Sequence, residues 1–378
     1  MSLEDVVVIG GGIVGLATAL ELRRDGFSVA VVDRFDMGRG ASWAGAGMIA
    51  PTAERPSNPL ERLRDLSARL YPHWAIELKD QTGVDIGYRR CGGIDLALEP
   101  SETIDLDRQV LAWQNEGIAY ELIDPDELGR IEPNLTGAFV AAYSLPDRGQ
   151  IRNPRLLHAL EVANRSAGVS LMPGVEAISL EIHGDRAISV KTKSEEIFSG
   201  IVVVAAGART GEIVETAGIR LETPPIKGQI VLLKTEPGVL KRVVEHGKNY
   251  LVPREDGRIL VGATEENAGF DVRPTAAAVA GLIAEAERLC PSLAQAEVER
   301  AWGGSRPGNR DGRPYIGRAP GLTNLFVAAG HFRAGIQLAP ATASLIAALI
   351  KGGETPVDAS YFALDRPRSS AQAAAIRS

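Results

Sequence analysis

Hydrophobic positions near the N-terminus form two short apolar runs with a helical pattern between them. Val6–Ile9 and Val29–Val32 are β-branched runs, typical of strands buried on both faces of a parallel sheet. Leu16–Arg24 has helix-forming residues with basic residues in its last turn, and Gly26 follows as a stop signal. This order predicts the first strand–helix–strand unit of a doubly wound domain.

Further along the chain the pattern alternates between buried-type strands and half-buried ones. Ile201–Ala205 and Asn324–Ala328 are predicted to extend the parallel sheet, whereas alternation within 88–143 and 226–300 predicts antiparallel strands. Helices are predicted at Leu60–Gly83, Leu106–Asn115, Asp124–Arg130, Asn153–Ala167, Ala276–Cys290 and Ile336–Ile350. We expect Asn153 to cap its helix and Pro340 to lie in the first turn of the last one.

Two interleaved domains follow from this alternation, because 378 residues exceed what one core usually supports. We expect a discontinuous nucleotide-binding α/β domain from residues 1–87, 149–222 and 300–365. An α+β domain on an antiparallel sheet would take residues 88–148 and 223–299, with 366–378 as a polar tail. The functional site should lie between the two domains.

Composition narrows the function classes. The net charge of −7 disfavours nucleic acid and anionic membranes as partners, and no apolar run suggests an integral membrane segment. Two cysteines, Cys91 and Cys290, suggest neither a disulfide framework nor a metal site. No signal-peptide pattern is visible, so we expect a cytoplasmic protein, with a homo-oligomer left open.

The loop after the first strand carries the first chemical signal. Gly10, Gly12 and Gly15 give G-x-G-x-x-G: the first allows a tight turn, the second a close approach to a pyrophosphate, and the third close helix packing. Asp33 ends the second strand, where it could accept hydrogen bonds from a ribose. The unit predicts a dinucleotide at the helix N-terminus but leaves FAD and NAD open.

Small residues suggest where a large flat ligand could lie against the backbone. In residues 38–47, eight of ten are Gly, Ala or Ser, and Ala206-Gly207-Ala208 follows a predicted strand. Trp43 and the following Met48-Ile49 make an exposed flexible linker a poorer interpretation of the first segment.

Several motifs, taken jointly, resemble the D-amino-acid-oxidase-type FAD enzymes, and most closely their glycine-oxidising members. They include "VVIGGGIVGLATA", "GASWAGAGMIAP", "VVVAAGA", "YLVPR", "RPGNRDGRPYIG" and "GHFRAGIQLAPAT", and they span essentially the whole chain. The resemblance implies a Rossmann-like FAD-binding domain with noncovalent FAD. It also implies hydride transfer from Cα of a small amino acid to FAD N5. The products would be an imine, then an oxo acid and ammonia, with hydrogen peroxide from molecular oxygen; iminoacetate from glycine would serve thiamine thiazole synthesis.

The same resemblance assigns residues to roles. Three groups would bind the substrate and act in catalysis: Arg306, Arg333 and Tyr250. The residues expected around FAD, besides the glycines of the first loop, are Ile13 and Val14 at the pyrophosphate, Asp33 and Arg34 at the ribose, Val175 at the adenine, Ala41, Ser42, Ala46, Gly47 and Met48 at the flavin, Gly207, and His331, Phe332, Arg333, Ala334, Gly335, Ile336 and Gln337 at the flavin's pyrimidine edge.

Arg306 is the residue on which the substrate hypothesis depends most. A guanidinium can bind a carboxylate through two parallel hydrogen bonds, and two buried arginines would leave positive charge to stabilise reduced flavin. Glu265 stands where a relative has an apolar Met, so it could favour a cationic substrate group. Asp311 and Arg313 are expected on a surface turn.

Two other functions stay open at this point. A dehydrogenase of D-amino acids or proline would pass electrons to a quinone or a partner protein instead of oxygen. A flavin-binding module could recruit a partner without turnover, although the register of the two arginines and the tyrosine disfavours it.

Overall fold

The computed structural model describes residues 4–367, which form helices packed on two large sheets. The helices of this part of the chain are α1 (Ile13–Arg24), α2 (Ala41–Ala44), α3 (Pro59–Thr82), α4 (Thr103–Glu116), α5 (Pro125–Ile131), α6 (Asn153–Ser166), α7 (Thr210–Glu215), α8 (Ala276–Leu289) and α9 (Gly335–Lys351). Short 3-10 turns occur at Pro100–Glu102, Gly207–Arg209, Pro291–Gln295, Phe332–Ala334 and Ala359–Phe362.

The strands of the same part are β1 (Glu4–Ile9), β2 (Val29–Asp33), β3 (Met48–Ile49), β4 (Gly93–Ala97), β5 (Glu121–Leu122), β6 (Ala141–Leu145), β7 (Gly149–Gln150), β8 (Ser170–Pro173), β9 (Ala177–His183), β10 (Arg186–Thr192), β11 (Glu196–Val204), β12 (Pro225–Lys234), β13 (Val243–His246), β14 (Asn249–Pro253), β15 (Arg258–Gly262), β16 (Glu297–Pro307), β17 (Tyr315–Arg318) and β18 (Leu325–Ala329).

The first sheet has the predicted buried parallel strands at its centre. Its order is β17-β18-β11-β1-β2-β8, and β10 and β9 extend it as an antiparallel hairpin from β11. β1 pairs in parallel with both β2 and β11, so their carboxyl ends meet at one edge. Helices α1, α3, α6 and α9 pack together on one face. The carboxyl edge of the parallel strands is where open α/β sheets bind their ligands.

The second sheet has the order β16-β12-β15-β14-β13-β4-β6-β5 and is antiparallel except between β13 and β4. One face of this sheet packs on α8, and the opposite face contacts the β3 segment, which belongs to the predicted nucleotide-binding domain. β16 pairs with β12 along its whole length. The expected domain boundary between residues 299 and 300 therefore falls inside one strand, which the ladder hydrogen bonds keep in the second sheet.

Pro340 lies inside α9, not in its first turn as expected. Proline has no backbone N–H, so inside a helix the carbonyl four residues before it receives no intrahelical hydrogen bond. The Tyr71 hydroxyl of α3 donates to that carbonyl, on Ile336. Burial raises the pKa of Tyr71, so it remains a donor. A tertiary hydrogen bond thus replaces the one that Pro340 removes.

The segment Phe332–Lys351 is long and apolar enough to cross a membrane by length and composition. In the fold, 61% of its most apolar stretch is buried, and it packs against α1 and α3. Packing in the protein core accounts for its apolar composition.

Two other local expectations are wrong. Asn153 is the first residue of α6, not its cap, and its side-chain amide donates to the Ser42 carbonyl. Asp311 is buried, not on a surface turn, and accepts hydrogen bonds from Arg313 and Arg366. The expected tail therefore begins with a buried, ion-paired residue; positions 368–378 lie outside the described residues.

Candidate active site

A cavity of about 560 Å³ lies at the carboxyl edge of the first sheet and extends to the end of β16. Its walls include the glycine loop before α1, the α2 segment and the chain after β18. Of the residues predicted around the cofactor, those on the wall are Gly10, Gly12, Ile13, Val14, Asp33, Arg34, Ala41, Ser42, Val175, Gly207, His331, Phe332, Arg333, Gly335 and Ile336. Gly15, Ala46, Gly47, Met48, Ala334 and Gln337 are not on the wall, and neither is Tyr250.

The glycine loop has the geometry that its motif predicts. Gly10 has a φ of +111°, and a Cβ there would overlap the Ala205 carbonyl of β11. A Cβ on Gly15 would overlap the Gly10 carbonyl, so this glycine permits helix packing without touching the cavity. Gly12 caps α1 without a side-chain hydrogen bond, and the Ile13 amide donates to Ser42 Oγ at 3.0 Å. The positive end of α1 faces the cavity.

Asp33 is fixed at the end of β2 by two backbone donors. Its oxygens accept from the Gly11 amide at 2.7 Å and the Phe35 amide at 2.8 Å. Burial raises the pKa of this carboxyl above its usual range, against the opposing effect of those bonds. Arg34 lies over the Phe35 ring, 4.4 Å from its centroid. Asp33 is thus fixed on the cavity wall, where a ribose hydroxyl could donate to its remaining lone pairs.

The small-residue loop is held between the two sheets. Gly304 of β16 lies so close to this loop that an added Cβ would overlap Ala44 Cβ. The Ala46 carbonyl accepts from Arg254 Nη2 at 2.7 Å, and burial lowers the pKa of Arg254 to about 9. Gly47 has a φ of +76°, which a side chain would strain. Ala46, Gly47 and Met48 thus shape the loop, while Ala41 and Ser42 line the cavity.

The chain after β18 closes the opposite wall. His331 is buried, and its Nε2 lies 3.1 Å from Thr342 Oγ1. Burial lowers the pKa of His331 to about 4, so the ring is neutral. Phe332 has a φ of +48°, a strained conformation for a non-glycine residue. Gln337 does not reach the cavity: its side chain accepts from the Ala50 amide and donates to the Arg64 carbonyl.

Arg306 ends the cavity on the side of the second sheet. Its Nη1 donates to the Thr264 carbonyl at 3.0 Å, and its guanidinium lies so close over Gly228 that a Cβ there would overlap it. The Tyr250 ring crosses β15 in the same way over Gly262, and Tyr250 and Arg306 interact. Burial raises the pKa of Tyr250 to about 12, so it is a neutral hydroxyl. Two glycines therefore let two long side chains from different strands meet.

Arg333 differs from the expectation of a second buried arginine. Its side chain is 51% exposed and forms an ion pair with Glu265. The structure therefore brings Arg306 and Arg333 to the same end of the cavity, but the positive charge of Arg333 is already balanced by the carboxylate. The prediction that two buried arginines leave unbalanced positive charge at this end of the cavity is therefore wrong for this arrangement.

Several wall residues were not predicted from the sequence, among them Arg209, Glu212, Lys193 and Phe270, and Ser305 lies on the same wall. Within residues 4–367, the buried Ser305 Oγ and Arg209 Nε have no hydrogen-bond partner. Orphaned polar atoms on a cavity wall fit a polar ligand, because burying them unpaired is costly. The only available signal for Arg209 was its place two residues after Gly207.

The wall therefore fits FAD, with a helix N-terminus, an acid at the end of β2, close backbone passages and unpaired polar atoms in one cavity. In the described part of the chain, no group of three or more His, Cys, Asp or Glu side chains could hold a metal ion. Residues 5–349 match the family model "FAD dependent oxidoreductase". The chain belongs to this family, and the protein is an FAD-dependent oxidoreductase.

Individual relatives are similar over nearly the whole chain. A glycine oxidase of Pseudomonas aeruginosa is 36% identical over 365 residues, which cover 95% of this chain and 98% of the relative. The crystal structure of glycine oxidase from Geobacillus kaustophilus superposes with a TM-score of 0.93 at 35% identity, over 98% of this chain and all of that one. The bifunctional protein ThiO/ThiG of Nostoc is 35% identical over 97% of this chain, which spans 56% of that longer protein.

Proposed function

We propose that this enzyme oxidises glycine and other small amines or D-amino acids at Cα and passes the electrons to oxygen. The products would be an imine, which hydrolyses to an oxo acid and ammonia, and hydrogen peroxide. The similarity to the glycine oxidases of Pseudomonas aeruginosa and Geobacillus kaustophilus supports this proposal. The observation that carries it is Arg306, a partly buried guanidinium at the end of the cavity that interacts with the Tyr250 side chain behind the wall.

The residues divide into two groups in this proposal. Gly12, Ile13, Ser42, Asp33 and Ser305 would hold FAD without a covalent bond, since neither Cys91 nor Cys290 lines the cavity. When bound, FAD supplies the two-electron redox chemistry. The chain's own residues would then bind and orient the substrate.

Arg306 would bind the substrate carboxylate, because its planar fork matches a carboxylate and its Nη1 is already oriented by Thr264. Tyr250, neutral at physiological pH, would donate its hydroxyl hydrogen to the same carboxylate. Arg333 would assist once it exchanges Glu265 for the substrate. Catalysis would rest on positioning, with no protein base required at Cα.

The direct test is to purify the protein and to follow its flavin absorbance with glycine, sarcosine, D-alanine and D-proline, with and without air. We expect bleaching without air, recovery with air, and hydrogen peroxide equal to the imine formed. A flavin that glycine bleaches but air does not restore would indicate a dehydrogenase with another acceptor. A flavin that no amino acid bleaches would contradict the proposal.

We further propose a cytoplasmic location and a supply of iminoacetate to thiazole synthesis for thiamine. Free thiols at Cys91 and Cys290 support the first point, since reducing compartments keep them so. The likeness to the bifunctional ThiO/ThiG protein supports the second. Restored growth of a thiazole-requiring bacterium that lacks its own glycine oxidase would test it, with Arg306→Leu as the inactive control.

A further inference from the structure

A row of polar side chains crosses the second sheet beside the candidate active site. Glu245 of β13 is directly opposite Tyr250 of β14 on one side and Asp95 of β4 on the other. Side chains directly opposite one another on paired strands project from the same face. Tyr250 packs with Met48 and Trp302, so this face is the one turned toward the FAD-binding unit.

Arg148, from the turn between β6 and β7, holds two carboxylates of this row. It forms two hydrogen bonds to Asp95, and its Nη1 lies 3.0 Å from Glu245 Oε1. Arg148 and Asp95 are buried, whereas 31% of the Glu245 side chain is exposed. Glu245 is therefore the open end of an otherwise closed ionic cluster of Asp95, Arg148 and Glu245.

The charges of this cluster do not balance. One guanidinium faces two carboxylates, so one unit of negative charge has no dedicated partner within the cluster. Arg333 attracts Glu245 but is ion-paired with Glu265. Burial raises the pKa of Glu245 above its usual range, because a desolvated anion without a full partner is unfavourable there, and a bound ligand cation would favour the ionised carboxylate.

The position of Glu245 relative to Arg306 sets the size of such a ligand. Tyr250 reaches over β15 toward Arg306, and Glu245 lies one strand beyond Tyr250 in the opposite direction. Neighbouring strands are about 4.8 Å apart. A substrate whose carboxylate is bound at Arg306 therefore needs a chain several atoms long to place a cation at Glu245.

We propose that Glu245 is a specificity-determining residue that favours amino acids with a second, positively charged amino group several atoms from the carboxylate over neutral substrates of the same shape. This rests on the proposed oxidation of small amino acids at the same site. Glycine would still be a substrate, because it needs only the carboxylate-binding end. Glu245 would add affinity for longer, cationic substrates such as diamino acids.

The test compares matched pairs in which a terminal ammonium replaces a methyl group. The pairs are D-ornithine with D-norleucine and N-(2-aminoethyl)glycine with N-propylglycine, at a pH where the terminal amines are protonated. For at least one pair, we expect wild-type kcat/KM to be higher for the cationic member. In Glu245→Gln that preference should fall about tenfold, mainly through KM, since close charge pairs at desolvated sites contribute at least that much.

Asp95→Asn gives a second, independent reading. It leaves Arg148 as the full partner of Glu245, so the cation preference should fall even though Asp95 is buried and cannot touch the substrate. Glu297→Gln, an exposed carboxylate on the same sheet, should leave the preference unchanged.

Flavin content and glycine kcat/KM in the same preparations separate the two proposals. Loss of glycine oxidation in the wild type would overturn the proposed function. Normal glycine oxidation with no wild-type cation preference in either pair would overturn the role of Glu245 alone. The role of Glu245 would also be overturned if a folded Glu245→Gln or Asp95→Asn variant kept the cation preference.

Discussion

The two ends of the cavity are built in different ways. At the glycine-loop end, one continuous stretch from β1 to β2 supplies the turn, the helix N-terminus and the acid, and the backbone amides of Gly11 and Ile13 hold the Asp33 and Ser42 side chains in place. At the Arg306 end, side chains from β14 and β16 meet across Gly262 and Gly228, and Arg333 from the segment after β18 lines the same end. Local backbone geometry thus forms the cofactor end, whereas long-range side-chain placement forms the end proposed for the substrate.

The largest effect should come from blocking the backbone end. In Gly12→Val, a Cβ would lie 3.3 Å from Ser42 Oγ, and the methyl groups beyond it would occupy the space in front of the helix N-terminus. We expect a folded protein that purifies without FAD and has no oxidase activity. The ratio of flavin to protein absorbance measures this.

Gly129→Val in α5 is the matched control, since a Cβ there meets no described atom within 4 Å. It should retain FAD. If Gly12→Val also retained full FAD, the glycine loop would not be the cofactor site.

At the other end, Arg306→Leu should abolish most turnover while FAD stays bound. Losing one partner of a buried charge pair costs about 2–5 kcal/mol, which lowers kcat/KM for glycine at least about 30-fold. Arg306→Lys should lie between the wild type and Arg306→Leu, because it keeps the charge but not the fork. Steady-state kinetics with glycine and D-alanine measure both.

Arg310→Leu is the control for charge loss, because Arg310 is exposed and paired with Glu222 on the surface. It should change kcat/KM little. Arg313 is unsuitable, since it binds the buried Asp311. Near-normal kinetics in Arg306→Leu would remove Arg306 from the substrate site.

A smaller but more specific effect is expected from Gly228→Ala. The added Cβ would overlap the Arg306 guanidinium, which must move although no functional group is lost. A displacement of about 1 Å can cost up to about 100-fold, so we expect kcat/KM for glycine to fall about 10- to 100-fold.

Gly281→Ala in α8, where a Cβ meets no described atom within 4 Å, is the control and should behave as wild type. Unchanged kinetics in Gly228→Ala would mean that the position of Arg306 over β12 is unimportant.

The smallest effect should come from Glu265→Met, which releases Arg333 from its ion pair. The pair is half exposed and is worth at most about 1 kcal/mol, so relative kcat/KM values should shift by no more than about fivefold. We expect the shift among glycine, sarcosine and D-alanine to appear in KM, because Arg333 gains freedom to bind the carboxylate. Identical relative values would place Glu265 outside substrate selection.

The secondary structure of the cofactor end could be predicted closely because its signals are local. The strands near residues 6 and 29, the helix between them and the roles of Gly10 and Gly15 follow from steric limits within a few residues. Where a partner was distant in sequence, prediction failed. Asn153 looked like a helix cap but binds Ser42, and Asp311 looked like a turn residue but binds Arg366.

The sequence alone determined the dinucleotide-binding unit and the two kinds of sheet, because glycine spacing and hydrophobic period act over short distances, and motifs spread along the whole chain indicated the FAD-dependent family by resemblance. Only the tertiary structure decided which charges face one another. It paired Arg333 with Glu265, joined Arg148 to both Asp95 and Glu245, and let Tyr71 satisfy the carbonyl that Pro340 leaves without a donor. Such pairings depend on strand register and on side chains far apart in sequence, and a linear pattern does not encode either directly.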